Sequence, residues 1–260
     1  MSTAFQGTAA VVTGASSGIG RAIAISLARA GAERLLVHYR NNQDGAEETA
    51  TGLRELGCEC SVVAADLSRS ADREQLIQTA FDRLGEVQTW VNNAGADVLT
   101  GEPASLDFES KLRLLLEVDV IGTIDLSRAL AKLLMNQESE HPPSMTFIGW
   151  DQATQGMEGD AGQMFGPVKA AVMAFAASLA QDAAPKLRVN TIAPGWIQTS
   201  WGESTSDYWD QRAKQQSLMQ RWGRPEDVAK AVVYAATPQN DFLSGQTINV
   251  NGGWNRKPTV

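Results

Sequence analysis

The sequence predicts a doubly wound α/β fold: one parallel sheet of about seven strands with helices on both faces, in a single domain over residues 1–260. Three observations carry this. Short apolar runs alternate with helix-like segments along the whole chain. Those runs lack the polar alternation of a half-exposed strand, which suits strands covered on both faces. Repeated strand–helix units also imply right-handed crossovers. No Pro/Ser-rich linker, repeat or low-complexity tract divides the 260 residues.

The elements follow in order. Ala9-Ala10-Val11-Val12 is the first strand, and a glycine turn leads into a helix from Gly20 to about Ala30. Gly31 stops that helix, as a glycine just past a helix end does. Leu35–Tyr39 is the second strand, and a charged helix from about Asp44 to Leu56 ends at Gly57. Cys60–Ala64 is the third strand, followed by a helix from about Ala71 to Leu84 that ends at Gly85. Thr89-Trp90-Val91 is a short fourth strand. Met145–Ile148, Arg188–Ile192 and Thr247–Val250 supply three more, and an Ala-rich helix runs from about Gly166 to Ala183.

Composition narrows the function. Lys and Arg number 22 against 30 Asp and Glu, a net charge of 22 − 30 = −8. That acidity argues against a nucleic-acid or anionic-membrane partner, which needs a basic face. A hydrophobic share of 43% with 20% charged residues excludes a disordered chain. No apolar run approaches the roughly 20 residues of a membrane span. Met1–Gly7 has no basic or long apolar stretch, so no signal peptide is expected, and a cytoplasmic protein is. Cys58 and Cys60, two residues apart in an extended strand, would hold their Cβ atoms too far apart for a disulfide between them. The only histidines, His38 and His141, lie in distant segments, so no metal site is expected.

The first strand runs into Thr13-Gly14-Ala15-Ser16-Ser17-Gly18-Ile19-Gly20, where a helix begins. Glycines allow the tight turn and a close backbone approach to phosphate oxygens, and the helix N-terminus adds free N–H groups. The spacing is G-x3-G-x-G. At the start of a strand–helix series, this predicts a dinucleotide site of the Rossmann type. A carboxylate about 20 residues beyond the turn would bond the ribose hydroxyl of NAD. Arg40 stands there instead, followed by Asn41 and Asn42. A guanidinium suits a 2′-phosphate, so NADP(H) is favoured over NAD(H).

The string TGASSGIG resembles the cofactor loop of the short-chain dehydrogenase/reductase family. Asn92-Asn93-Ala94-Gly95, Asp66-Leu67, Pro194-Gly195, Arg224-Pro225-Glu226-Asp227 and the segment Ser244–Gly253 match further landmarks of that family, in order, from about Thr8 to Trp254. The resemblance implies cofactor contacts from Thr13, Gly14, Ser16, Ser17, Gly18, Ile19, Gly20, Arg40 and Asn41. It implies others from Asp66, Leu67, Asn93, Ala94, Gly95, Lys169, Pro194, Gly195, Ile197 and Thr199. Asp66 would meet the adenine amine, and Thr199 the nicotinamide carboxamide. The resemblance also implies a homo-oligomer, dimer or tetramer, with Ala170, Ala171 and Ala174 on a helix that allows close approach.

The resemblance breaks at the catalytic positions. The family uses a tyrosine four residues before a lysine, a serine at the preceding strand end and an asparagine in the preceding helix. Here Lys169 is present, but Phe165 stands four residues earlier. The strand end reads Phe147-Ile148-Gly149-Trp150-Asp151-Gln152, and Asp119 takes the asparagine position. The only tyrosines are Tyr39, Tyr208 and Tyr234, so no shift of this helix restores a phenol. The candidate catalytic residues are therefore Lys169, Phe165, Asp119 and Asp151. Asp151 is the nearest replacement acid, with Glu158 and Asp160 as others.

Residues 196–217 correspond to the substrate lid of the family. Trp150, Trp196, Trp201 and Trp209 could line a flat apolar pocket there, or could simply pin a short helix to the core. Three functions stay open. The first is an NADP(H)-dependent oxidoreductase moving hydride to or from a small carbonyl or alcohol substrate, with Phe165 in place of the tyrosine. The second is a catalytically silent dinucleotide-binding protein, acting as a sensor or partner subunit. The third is a reductase of an activated C=N or C=C bond.

Overall fold

The computed structural model describes residues 4–203 and 205–256, with the side chains of residues 201 and 203 set aside. The chain begins β1 (Ala9–Val12), α1 (Gly18–Arg29), β2 (Arg34–Tyr39), α2 (Gln43–Glu55), β3 (Glu59–Ala64), α3 (Ser70–Leu84) and β4 (Thr89–Asn92). A 3₁₀ turn at Glu102–Ser105 precedes α4 (Phe108–Leu115), a π-helical stretch (Leu116–Gly122), α5 (Thr123–Leu134) and β5 (Ser144–Ile148). The last part is α6 (Gly159–Ala183), β6 (Arg188–Pro194), α7 (Ser200–Glu203), α8 (Asp207–Gln216), α9 (Pro225–Ala236) and β7 (Thr247–Val250).

All seven strands are parallel, in the order β3-β2-β1-β4-β5-β6-β7. Val12 pairs with Val37 on one side and Val91 on the other, so the order reverses at β1. That reversal opens a crevice at the C-terminal strand ends, where ligands bind in such sheets. Helices cover both faces. Ile23 and Leu27 of α1 pack with Val228 and Val232 of α9 on one side. Leu76 of α3, Leu126 and Leu130 of α5 and Val172 of α6 pack on the other, around Trp90 and Phe147. The sheet, the helical layers and the single Rossmann-type domain agree with the sequence expectation.

The structure corrects two expectations. α6 begins at Gly159 rather than near Gly166, so Pro167 sits inside the helix. A proline nitrogen has no N–H for the i−4 carbonyl; the rest of the helix carries that loss through burial. α6 is also apolar enough, by length and composition, to cross a membrane, with mean hydropathy 1.2. It is instead packed against the sheet, burying Val168, Val172, Ala176 and Ala180. The outer strand β7 alternates exposed and half-buried residues, as an edge strand does.

Candidate active site

The glycine turn after β1 is shaped by contacts that leave no room for side chains. Gly14 has φ +64°. A Cβ on Gly20 would stand 2.2 Å from the Gly14 carbonyl oxygen and 2.5 Å from Asn93 Nδ2. Asn93 crosses from β4 and donates to the carbonyls of Thr13 and Gly14 at 2.9 and 3.0 Å. The Thr13 hydroxyl accepts from the N–H groups of Asn93 and Ala94. These bonds tie the two strand ends on either side of the crevice. The N-terminus of α1 has no acidic residue and no side-chain cap at Ser17, so its first-turn donors face the crevice unspent by side chains.

His38, which the sequence reading left without a role, holds the same turn. Its Nδ1 accepts from the Gly14 N–H at 3.0 Å, and its Nε2 meets the Ala65 carbonyl at 3.0 Å. The backbone N–H can only donate and the carbonyl only accept, so the ring is the neutral Nε2–H tautomer. Burial pushes its pKa down to about 4, against the Ala65 bond and the nearby Asp66.

Arg40, Asn41, Asn42, Ser16, Ser17 and Gly18 line one open cleft with Thr199 and Asn93. Arg40 is exposed. Asp66 and Leu67 lie beyond that lining. Burial raises the Asp66 carboxyl, but the Ser68 N–H and hydroxyl outweigh it, with Arg40 and Arg69 adding to the pull, and hold it below the usual carboxylate range.

The cleft continues into a cavity of about 560 Å³, and Ile19, Asn93, Gly95, Asp97 and Thr199 border both. Pro194, Gly195 and Ile197 line the cavity from the end of β6. Lys169, Phe165 and Asp119 share its wall. Lys169 Nζ donates to Asp119 Oδ2 at 3.0 Å, with 16% of the lysine side chain and 2% of the aspartate exposed. The Ala96 N–H donates to Asp119 Oδ1 at 2.7 Å. Asp119 lies in the π-helical stretch, a distortion frequent at functional sites. Phe165 packs against Ala96, Val98, Leu115 and Met164. None of the three tyrosines lines the cavity.

Asp151 is not brought to this wall. It lies behind Gly195, accepts from Asn251 Nδ2 at 3.0 Å, and leaves Oδ1 buried without a partner. Glu158 accepts instead from the Tyr208 hydroxyl and pairs with Arg212. Asp160 sits exposed in the first turn of α6. Chain adjacency to a strand end did not say which way an acid would turn.

Burial pushes the Asp151 carboxyl up to about 6, outweighing the hydrogen bond from Asn251. A folded value above the unfolded one, near 3.9, means that the folded state binds this proton more tightly. The stabilisation is full below about pH 4 and lost as pH rises through about 6. Against Asp151→Asn, the parent should therefore lose up to about 3 kcal/mol between pH 4 and 7, at about 1.4 kcal/mol per unit. Urea unfolding across that range reads the difference. Parallel pH profiles would mean that Asp151 ionises like a surface acid.

Trp150, Trp196 and Trp209 line the cavity, as does Trp222, which the sequence reading did not single out. The side chain of Trp201 lies outside the described ones, as does Ser204 of the 196–217 segment.

A parallel sheet with a glycine cradle at its reversal point, opening onto a lysine-bearing cavity, is the architecture of a dinucleotide-fold oxidoreductase. A family model described as enoyl-(acyl carrier protein) reductase matches residues 14–255. The chain belongs to the short-chain dehydrogenase/reductase family. It is 31% identical to a 3-oxoacyl-[acyl-carrier-protein] reductase of Synechocystis sp., over 96% of this chain and 98% of that one. It is 30% identical to glucose 1-dehydrogenase 2 of Bacillus subtilis, over 97% and 96%. The crystal structure of a short-chain dehydrogenase from Burkholderia cenocepacia in complex with NADP superposes with TM-score 0.84 at 26% identity, covering 96% of this chain and 98% of that one.

Proposed function

We propose that this chain is an NADP(H)-dependent oxidoreductase acting on a small carbonyl or alcohol substrate, with Phe165 where relatives of this family carry the catalytic tyrosine. One observation carries the reading: the glycine cradle and Lys169 border one continuous space. The residues present fit the dinucleotide, because a Cβ at Gly20 would fill the cradle. The Gly14–Gly20 turn would hold the pyrophosphate, Arg40 and Asn41 the 2′-phosphate, and Asp66 and Leu67 the adenine. Asn93, Ala94, Gly95, Ile197, Thr199 and Lys169 would hold the nicotinamide half. Bound there, the dinucleotide supplies or accepts hydride.

The chain's own residues supply the rest. Lys169 is the only cation among the described residues lining the cavity. Its ammonium stabilises negative charge on a substrate oxygen and carries the exchangeable proton at Nζ. Asp119 keeps that group turned to the wall. Phe165 carries no ionisable proton and keeps water from that side. Residues 196–217 act as the lid: Trp196 and Trp209 face the cavity, and Tyr208 and Arg212 reach Glu158 at the start of α6.

The missing phenol favours a second reading, a dinucleotide-binding protein that serves as sensor or partner subunit without turnover. Titration with NADPH, followed by NADPH oxidation over a carbonyl panel, separates the two. Turnover carries the first; tight binding with no turnover carries the second.

Arg40 makes a sharper claim. NADPH should bind at least about tenfold tighter than NADH, roughly 1.4 kcal/mol. Arg40→Asp should reverse the order, because a carboxylate repels the phosphate and accepts from the ribose hydroxyl. Equal affinities in the parent would remove Arg40 as the reader of the 2′-phosphate.

A further inference from the structure

The cavity beside Lys169 is walled by rings from separate parts of the chain. Trp150 follows β5, Trp196 follows β6, Trp209 sits on α8, Trp222 precedes α9, and Phe165 closes the α6 side. Trp196 is the centre of the group. Its ring lies 5.8 Å from Trp209 with planes 39° apart, and 5.8 Å from Trp222 at 79°. Two indole donors are already engaged outside the cavity wall. Trp196 Nε1 donates to Gln216 Oε1 at 2.8 Å, and Trp222 Nε1 donates to Asp210 Oδ1 at 2.9 Å. An indole held this way offers a ligand carbon rather than a donor, and the Arg212 guanidinium lies over the Trp196 ring, 6.0 Å from its centroid.

Among the described residues, the charged groups on the wall are Asp97, Asp119 and Lys169. Lys169 and Asp119 form a pair. Asp97 accepts from the N–H groups of Leu99 and Thr100. Arg212 lies 5.2 Å from the Trp209 ring centroid, pairs with Glu158, and is not part of the lining. Among the described residues, a phosphate or carboxylate would meet no cation on the wall besides Lys169, whose charge Asp119 already balances, and burying an incompletely paired charge is costly. A polyol would lose its water without regaining many hydrogen bonds. A flat ring system loses little conformational freedom on binding and gains from offset and edge-on ring contacts.

We propose that this cavity binds flat, uncharged cyclic ketones, their rings against Trp196 and Trp209 and their single oxygen toward Lys169. This names the substrate class of the oxidoreductase reading, and rests on that reading only for the chemistry that follows binding.

Calorimetric titration of the whole protein with 2-tetralone, 2-decanone and D-glucose tests it. The two ketones have equal carbon counts. Titrations are run without and with NADP⁺, in which state no ketone is reduced. 2-Tetralone should bind at least about tenfold tighter than 2-decanone, with D-glucose weaker than both. Trp209→Leu should bring the ratio of the ketones below about threefold, and Trp209→Phe should retain most of it. Trp150→Leu approaches the ligand from another wall and serves if Trp209→Leu fails to fold. Equal or tighter binding of 2-decanone or D-glucose overturns the proposal, as does a tetralone preference that survives both Leu variants. NADPH oxidation is followed separately. A ring preference without turnover supports the ligand class and removes the oxidoreductase reading. Turnover of 2-decanone without any ring preference does the opposite.

Discussion

Asp119→Ala should be the most destabilising single change in the site, costing about 3–5 kcal/mol, as when one member of a buried ion pair is removed. Two groups lose their partner at once. Lys169 Nζ, 3.0 Å from Asp119 Oδ2, becomes a lone, mostly buried charge. The Ala96 N–H, which donates to Oδ1 at 2.7 Å, becomes a buried orphan. Access of Lys169 to cavity water places the cost toward the lower end. Asp119→Asn keeps an acceptor for Ala96 and removes only the charge, so its cost should fall well short of the alanine variant. Adding Lys169→Met to Asp119→Ala should recover much of the loss, because the uncompensated charge goes with it. Urea unfolding of these variants reads the whole cycle. If the two single costs simply add, the pair is uncoupled and Asp119 is an ordinary polar core residue.

The fold and the cradle were legible because both are local. A strand, a glycine turn and a helix start lie within Ala9–Arg29, and the Gly20 contact with the Gly14 carbonyl is closed by residues six apart. The doubly wound parallel sheet followed from repetition of the same unit. Features built by distant residues were harder to read. His38 meets Gly14 across 24 positions, and Trp222 reaches Trp196 from beyond the 196–217 segment. A histidine in an apolar strand and a tryptophan before a glycine were the available signals, and neither says what it will face. Asp151 shows the opposite error. Its place beside the strand end was read correctly, but its carboxylate turns toward Asn251, 100 residues on. The start of α6 was missed because Pro167 reads as a first-turn proline, while the helix tolerates it in its interior.

Phe165→Tyr should raise carbonyl reduction, and the size of the rise measures how much of the relatives' geometry the cavity retains. Phe165 and Lys169 are one helical turn apart on α6 and share the cavity wall, so a phenol at 165 enters beside the ammonium. A positioned acid is worth roughly 10²–10⁴-fold. The gain here should stay nearer about tenfold, because groups acting as one catalytic unit are not additive. Two of its partners differ. Trp150 stands at the strand end where a serine is expected, and Asp119 already holds Lys169 at 3.0 Å. The new hydroxyl also enters a wall packed on Ala96, Val98 and Met164, which offers it little besides Lys169. Trp150→Ser together with Phe165→Tyr should therefore exceed either change alone in kcat/KM. The double variant should also lose ring-ketone affinity, since one wall of the ring cavity is gone. A fall in activity with Phe165→Tyr alone would mean that the apolar ring belongs to the working site, leaving Lys169 Nζ as its proton donor. No turnover by any of these variants, with NADPH still bound, would leave the chain as a binding protein.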